Sequence, residues 1–204
     1  MSGSETQVSS GFRTLVFNEA VRMNNTRLSL AMFSSDFQPL YTRSHSHELG
    51  AINYKADGCT ALYSSTVASI NLLDETRQEQ GDTGPVLFLI ITDGGDNESQ
   101  NFLESAQQLI AEKQALKVNP WTFVLLGDKM VDVPKLASIM GVPPENAEGY
   151  TRDNDGIYVN FETISGCLPE FRATGKLPVD WANPIRNHRL QLTDGLEHLN
   201  SWQR

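Results

Sequence analysis

Val86-Leu87-Phe88-Leu89-Ile90-Ile91-Thr92-Asp93-Gly94 decides the fold: an unbroken apolar run closes in a polar loop that opens with a carboxylate. A run of this length reads as a strand buried on both faces, as in parallel sheets. Ligands of open, mostly parallel α/β sheets gather in the crevice outside the carboxyl ends of the strands. Asp93 falls at that end and is the first candidate functional residue.

Working outward, a second apolar run covers Trp121 to Leu126 and breaks at Gly127-Asp128. Helical patterns lie between and after the runs. One follows Gly58-Cys59-Thr60 from about Ala61 to Arg77. Another runs to about Gln114, with Asn97 and Gln100 placed for a reciprocal capping box and Phe102, Leu103, Ala106 and Leu109 as its buried positions. Val133 to Met140 reads as a short helix ended by Gly141 and Pro143-Pro144, and about Gly156 to Ala173 as a further helix. Upstream, Thr6 to Arg22 sets Val8, Phe12, Leu15 and Val16 on one helical face. Arg27–Phe33 and Phe37–Tyr41, joined by Ser34-Ser35-Asp36, read as a hairpin. Strands alternating with helices predict an α/β fold, a three-layer open and mostly parallel sheet with helices on both faces. This domain spans 1–175; Pro178, Trp181 and Pro184 mark 176–204 as an irregular tail, with Leu192, Leu196, Leu199 and Trp202 at the spacing of a short helix.

Composition narrows the function classes. Lys and Arg total 16 against 25 Asp and Glu in 204 residues, a net charge of −9, so favourable counterion release from a nucleic-acid backbone has no obvious source. Cys59 and Cys167 are too far apart for a local metal-binding pair and too few for a disulfide framework. No apolar run approaches the roughly 20 residues of a membrane span, and the first residues lack the pattern of a secretory signal. The expectation is a cytoplasmic protein with no membrane or nucleic-acid partner.

The order of the motifs carries more than any one of them. Ser2 and Ser4 precede a helix, Gly58-Cys59-Thr60-Ala61-Leu62 precedes another, and Ile90-Ile91-Thr92-Asp93-Gly94 closes the apolar strand before Trp121 to Gly127. From about Ser2 to Phe171 the chain resembles the von Willebrand factor A domain family, closest in wording to its stand-alone bacterial and phage members. The resemblance implies a Rossmann-like fold and a metal-ion-dependent adhesion site. There Ser2, Ser4, Thr60 and Asp93 would surround Mg²⁺ or another divalent cation, with one position left for an Asp or Glu of a protein partner. Hydroxyls and carboxylates suit a hard cation that demands octahedral oxygen coordination. The chain departs from the pattern at its amino terminus, where the family's first aspartate would fall one position before Met1 and its central first strand would lie upstream. Metal binding by this chain is therefore expected to be impaired. Three arrangements are expected to follow: the sequence is a late-starting form or fragment, the flanking strands close up and pair directly, or another polypeptide supplies the strand.

Each residue also has a plainer role. Ser2 and Ser4 could cap a helix, Thr60 could cap the helix at Ala61, and Asp93 could cap a turn. Asp96 and Asn97 read as turn and cap residues, His45 and His47 as a solvated loop, Cys59 as a small buried filler, and Trp121 and Phe123 as core. The favoured function is a non-enzymatic, cation-dependent protein-binding module. The rivals are a metal-dependent phosphoesterase or nucleotide hydrolase using Asp93, disfavoured by the lack of a phosphate-cradling Gly-x-x-x-x-Gly-Lys loop, and an inert remnant.

Overall fold

The computed structural model describes residues 5–22, 26–55 and 58–201. The apolar runs become β3 (Leu87–Thr92) and β4 (Thr122–Asp128), and with β5 (Ala147–Tyr150) they form a parallel sheet in the order β3-β4-β5. The register sets Leu87 opposite Thr122, Thr92 opposite Gly127 and Asp128 opposite Tyr150. Side chains alternate across the pleat, so β4 sends Phe123 and Leu125 into one core and Val124 and Leu126 into the other. All four are fully buried, each contributing about 1.5–3 kcal/mol by leaving water.

Helices complete the layers. On one face α1 (Glu5–Val21), α5 (Asn154–Thr174) and the first residues of α6 (Asn183–Ser201) supply Phe12, Leu15, Phe161, Ile164 and Ile185. The other face receives Leu62 and Ile70 of α2 (Leu62–Glu79), Ala106 and Ile110 of α3 (Leu103–Gln114), and Leu136 and Met140 of α4 (Val133–Met140). α1 and α5 run side by side in the same direction, since Gly11 meets Phe161, Asn18 donates to Ser165, and Glu19 pairs with Arg172. Because α5 follows the carboxyl end of β5, the amino end of α1 stands at the same rim of the sheet.

The predicted hairpin forms as β1 (Arg27–Phe33) and β2 (Phe37–His45), but as a separate two-stranded sheet. It is tied at both ends. At the rim, the Ala61 amide donates to the Ser34 carbonyl at 2.7 Å. At the far end, buried Arg43 pairs with Asp82 and donates to Gln80, and Asp82 also takes Arg77. β1 and β3 do not pair, which excludes direct closure of the flanking strands. Among the described residues the outer edge of β3 therefore has no ladder partner, and each backbone group there costs about 1–3 kcal/mol if buried and unsatisfied.

Other expectations need correction. α3 begins at Leu103 after a 3₁₀ turn over Gln100–Phe102, with no side-chain cap, so the Asn97/Gln100 capping box is absent. Phe102 is exposed, and Ile110 takes the buried position in its stead. The strand β5 was unforeseen: Ala147-Glu148-Gly149-Tyr150 lacks β-branched residues and an apolar run, and its position rests on pairing with β4. The tail is not irregular with a short helix, since α6 spans 19 residues from Asn183. Trp181 and Ile185 join the core, and Arg186 and Arg189 bind Glu148 of β5.

Gly156, in the first turn of α5, lies so close to the Thr151 carbonyl that a Cβ would stand 2.1 Å from its oxygen. Gly→Ala inside a helix ordinarily stabilises by about 1 kcal/mol. Here Gly156→Ala is expected to reverse that sign and lower stability by about 1–3 kcal/mol in urea denaturation.

Candidate functional site

Three strand ends and the amino ends of α1, α2 and α5 converge at the carboxyl rim of the parallel sheet. β3 delivers Asp93 and β4 delivers Asp128, while Arg152 follows β5. Arg152 reaches both carboxylates, with Nη1 at 3.1 Å from Asp93 Oδ2 and Nε at 3.7 Å from Asp128 Oδ2. Asp128 is buried, and its Oδ1 accepts the Met130 amide. The Tyr150 hydroxyl donates to the Thr92 carbonyl at 3.4 Å; burial first, and then the Asp128 charge, push this phenol well above its ordinary range.

The Thr60 loop joins the Asp93 loop through a reciprocal pair of hydrogen bonds. The Thr60 amide donates to Asn97 Oδ1 at 2.8 Å, and the Asn97 amide donates to the Thr60 carbonyl at 3.1 Å. Thr60 Oγ1 lies 3.6 Å from where a Cβ on Gly94 would stand, so the residue after Asp93 is in van der Waals reach of the Thr60 hydroxyl. Thr60 is not a helix cap: α2 starts at Leu62, and the first-turn amides take acceptors from the neighbouring loop. Asp96 Oδ2 accepts the Tyr63 amide at 3.0 Å, and Ser99 Oγ accepts the Ser64 amide at 3.1 Å. A carboxylate at a helix amino terminus satisfies orphan N–H groups and complements the macrodipole. Burial disfavours the Asp96 charge, yet the Ser99 hydroxyl and the Tyr63, Ser99 and Glu98 amides outweigh it and hold this carboxyl below its ordinary range.

Asp93, Asp96 and Asp132 border a cleft of about 350 Å³ between the β3–α3 and β4–α4 connections, with Lys135 beside them. Thus two of the four predicted site residues, Thr60 and Asp93, come from neighbouring loops. Ser2 and Ser4 lie outside the described residues, which begin with Glu5 at the rim end of α1. That end is also marked by Tyr54, whose hydroxyl is pushed up by burial and by the Glu5 carboxylate. Asp128 and Arg152 were missed. Asp128 had the same signature as Asp93, a carboxylate closing an apolar run, whereas nothing local in the sequence points to Arg152.

The oxygen donors Thr60 and Asp93 suit a hard divalent cation, and Arg152, paired with Asp93, would compete with one for that carboxylate. Among the described residues no cluster of three or more His, Cys, Asp or Glu is arranged to hold a metal. His45 and His47 stack on one another, 5.2 Å between ring centroids. Cys59 is partly exposed rather than buried, and the buried thiol is Cys167, which burial pushes up to about 11. Among the described residues no helix is long and apolar enough to cross a membrane. Comparison with family models and with curated proteins finds no match for the chain.

The depressed Asp96 carboxyl makes a pH prediction. Its stabilising effect is fully present above the unfolded value near about 3.9 and is lost as pH falls through the lower folded value. Asp96→Asn is expected to cost about 2 kcal/mol at pH 7, from lost charge-assisted bonds to backbone amides. Denaturation midpoints of the two proteins should converge as pH drops below about 4.

Proposed function

We propose that the chain is a protein-binding module of the von Willebrand factor A type, acting through a divalent cation, Mg²⁺ in the first instance, at the carboxyl rim of its parallel sheet. The observation that carries this reading is the union of the Thr60 and Asp93 loops at that rim, locked by the paired Thr60–Asn97 hydrogen bonds. Asp93 and Thr60 would hold the ion, with Ser2 and Ser4 as the remaining side-chain donors. A bound cation supplies a Lewis-acidic position for the carboxylate of a partner Asp or Glu. Arg152 occupies Asp93 with a positive charge of the protein's own, so cation binding requires this ion pair to give way. A site with so few charged donors holds its ion weakly.

Calorimetric titration with Mg²⁺ and Mn²⁺ tests the reading. Saturable binding is expected, weakened more than about tenfold by Asp93→Ala and tightened by Arg152→Gln, which removes the competing charge. No saturable binding in the wild type, or binding indifferent to Asp93, would overturn it. Turnover of a generic phosphoester substrate that needs Mg²⁺ and disappears in Asp93→Ala would replace the module with the hydrolase.

A further inference from the structure

α6 begins past Phe171, where the family resemblance ends, and its polar contacts converge on β5 and the connection that follows it. It rises alongside β5 toward the rim. At its foot the Trp181 indole donates to the Glu145 carbonyl at 3.0 Å, and buried Ala182 and Ile185 fix its start in the core. Higher up, Arg186 Nε donates to Glu148 Oε2 at 2.5 Å and Arg189 Nη1 to Glu148 Oε1 at 2.8 Å, so two guanidinium groups share a carboxylate that is 9% exposed. Arg189 Nη1 also donates to the Gly149 carbonyl at 2.7 Å, while the Gly149 amide donates to Glu148 Oε1 at 3.1 Å. A Cβ on residue 149 would stand 2.9 Å from Arg189 Nη1, so glycine is what lets the guanidinium reach this backbone. At the rim His188 Nε2 meets both oxygens of Asp153, at 3.1 and 3.3 Å. Asp153 in turn accepts the Asp155 and Gly156 amides and caps α5.

These anchors bracket Arg152. Glu148 and Gly149 are fixed shortly before it, and Asp153 immediately after it, by side chains from one turn of α6. The Arg152 side chain is 41% exposed, so its hold on Asp93 depends on where its backbone is kept. The margin is narrow, because a shift of about 0.5 Å carries a contact of 3.1 Å out of hydrogen-bond range. Charge-assisted bonds such as those of Arg186 and Arg189 to Glu148 are the strong and directional kind that fix a backbone to this precision. We propose that α6 is a clasp that positions Arg152: Arg186, His188 and Arg189 hold β5 and the β5–α5 connection so that the guanidinium stays on Asp93. Loosening the clasp frees the Asp93 carboxylate. The clasp is independent of any metal. Its consequence for a cation, which rests on the function proposed above, is that α6 lowers affinity at the rim by keeping Arg152 in competition for Asp93.

The test uses the full chain with His188→Ala, with Arg186→Gln and Arg189→Gln combined, and with His188→Gln, which keeps an amide donor for Asp153. Phenylglyoxal labelling in metal-free buffer, located by mass spectrometry, reads how far the Arg152 guanidinium is released. Labelling of Arg152 is expected to quicken about threefold or more in the first two variants and to return to the wild-type rate in His188→Gln. An unchanged rate in both loosened variants, or a rate in His188→Gln as high as in His188→Ala, would overturn the proposal. So would a matching acceleration at buried Arg77 of α2, because the whole fold would then have loosened. In a Mn²⁺ titration, His188→Ala is expected to tighten binding about threefold in the native chain and to change nothing beside Arg152→Gln. Equal tightening in both backgrounds would overturn the coupling through Arg152. Absence of cation binding would instead defeat the function proposed above, and the labelling rates alone would then decide the clasp.

Discussion

The hydrogen-bonded ladder of β3, β4 and β5 is the constraint on which everything else depends. Its strands are parallel, so each must be followed by a crossover that returns over a face of the sheet, and both faces are thereby covered. Burial on both faces accounts for the nearly pure apolar content of β3 and β4. The same parallelism brings every strand end to one rim, and with it Asp93, Asp128 and Arg152. Parallel strands that end on one side are what bring Asp93 and Asp128 within reach of Arg152.

Legibility followed the strength of local signals. β3 and β4 were readable because continuous apolar runs carry their own burial, and α4 because Gly141 and Pro143-Pro144 mark its end: Gly141 takes a left-handed conformation at φ 76°, and at the other end the structure adds Asp132, which accepts the Lys135 amide. β5 was invisible because its four residues are strand only by virtue of their register with Leu125 to Asp128. The α3 capping box failed because the polar groups of its loop were drawn elsewhere. Asn97 turns to the Thr60 amide, and Gln100 donates to the Asp96 carbonyl. A local motif lost to a tertiary one, and the tertiary one joins the two loops of the candidate site.

At the rim, Thr60 was read from motif order and Asp93 from its place at a strand end; Asp128 carries the same strand-end signal, and Arg152 emerges only from the structure. Its guanidinium stands between two carboxylates, one of them buried, and such a pair leaves a costly uncompensated charge if the arginine departs with nothing in its place. A divalent ion at the proposed site would supply that compensation, so its exchange with Arg152 would link charge balance at the rim to occupancy.

The direct measurement is the effect of substoichiometric Mn²⁺ on the backbone amide resonances of the chain. If Thr60 and Asp93 flank one cation position, paramagnetic broadening will be concentrated on Cys59 to Ala61 and on Asp93 to Gly95, and excess Mg²⁺ will reverse it. Broadening spread over the acidic surface, or centred away from both loops, would contradict the account.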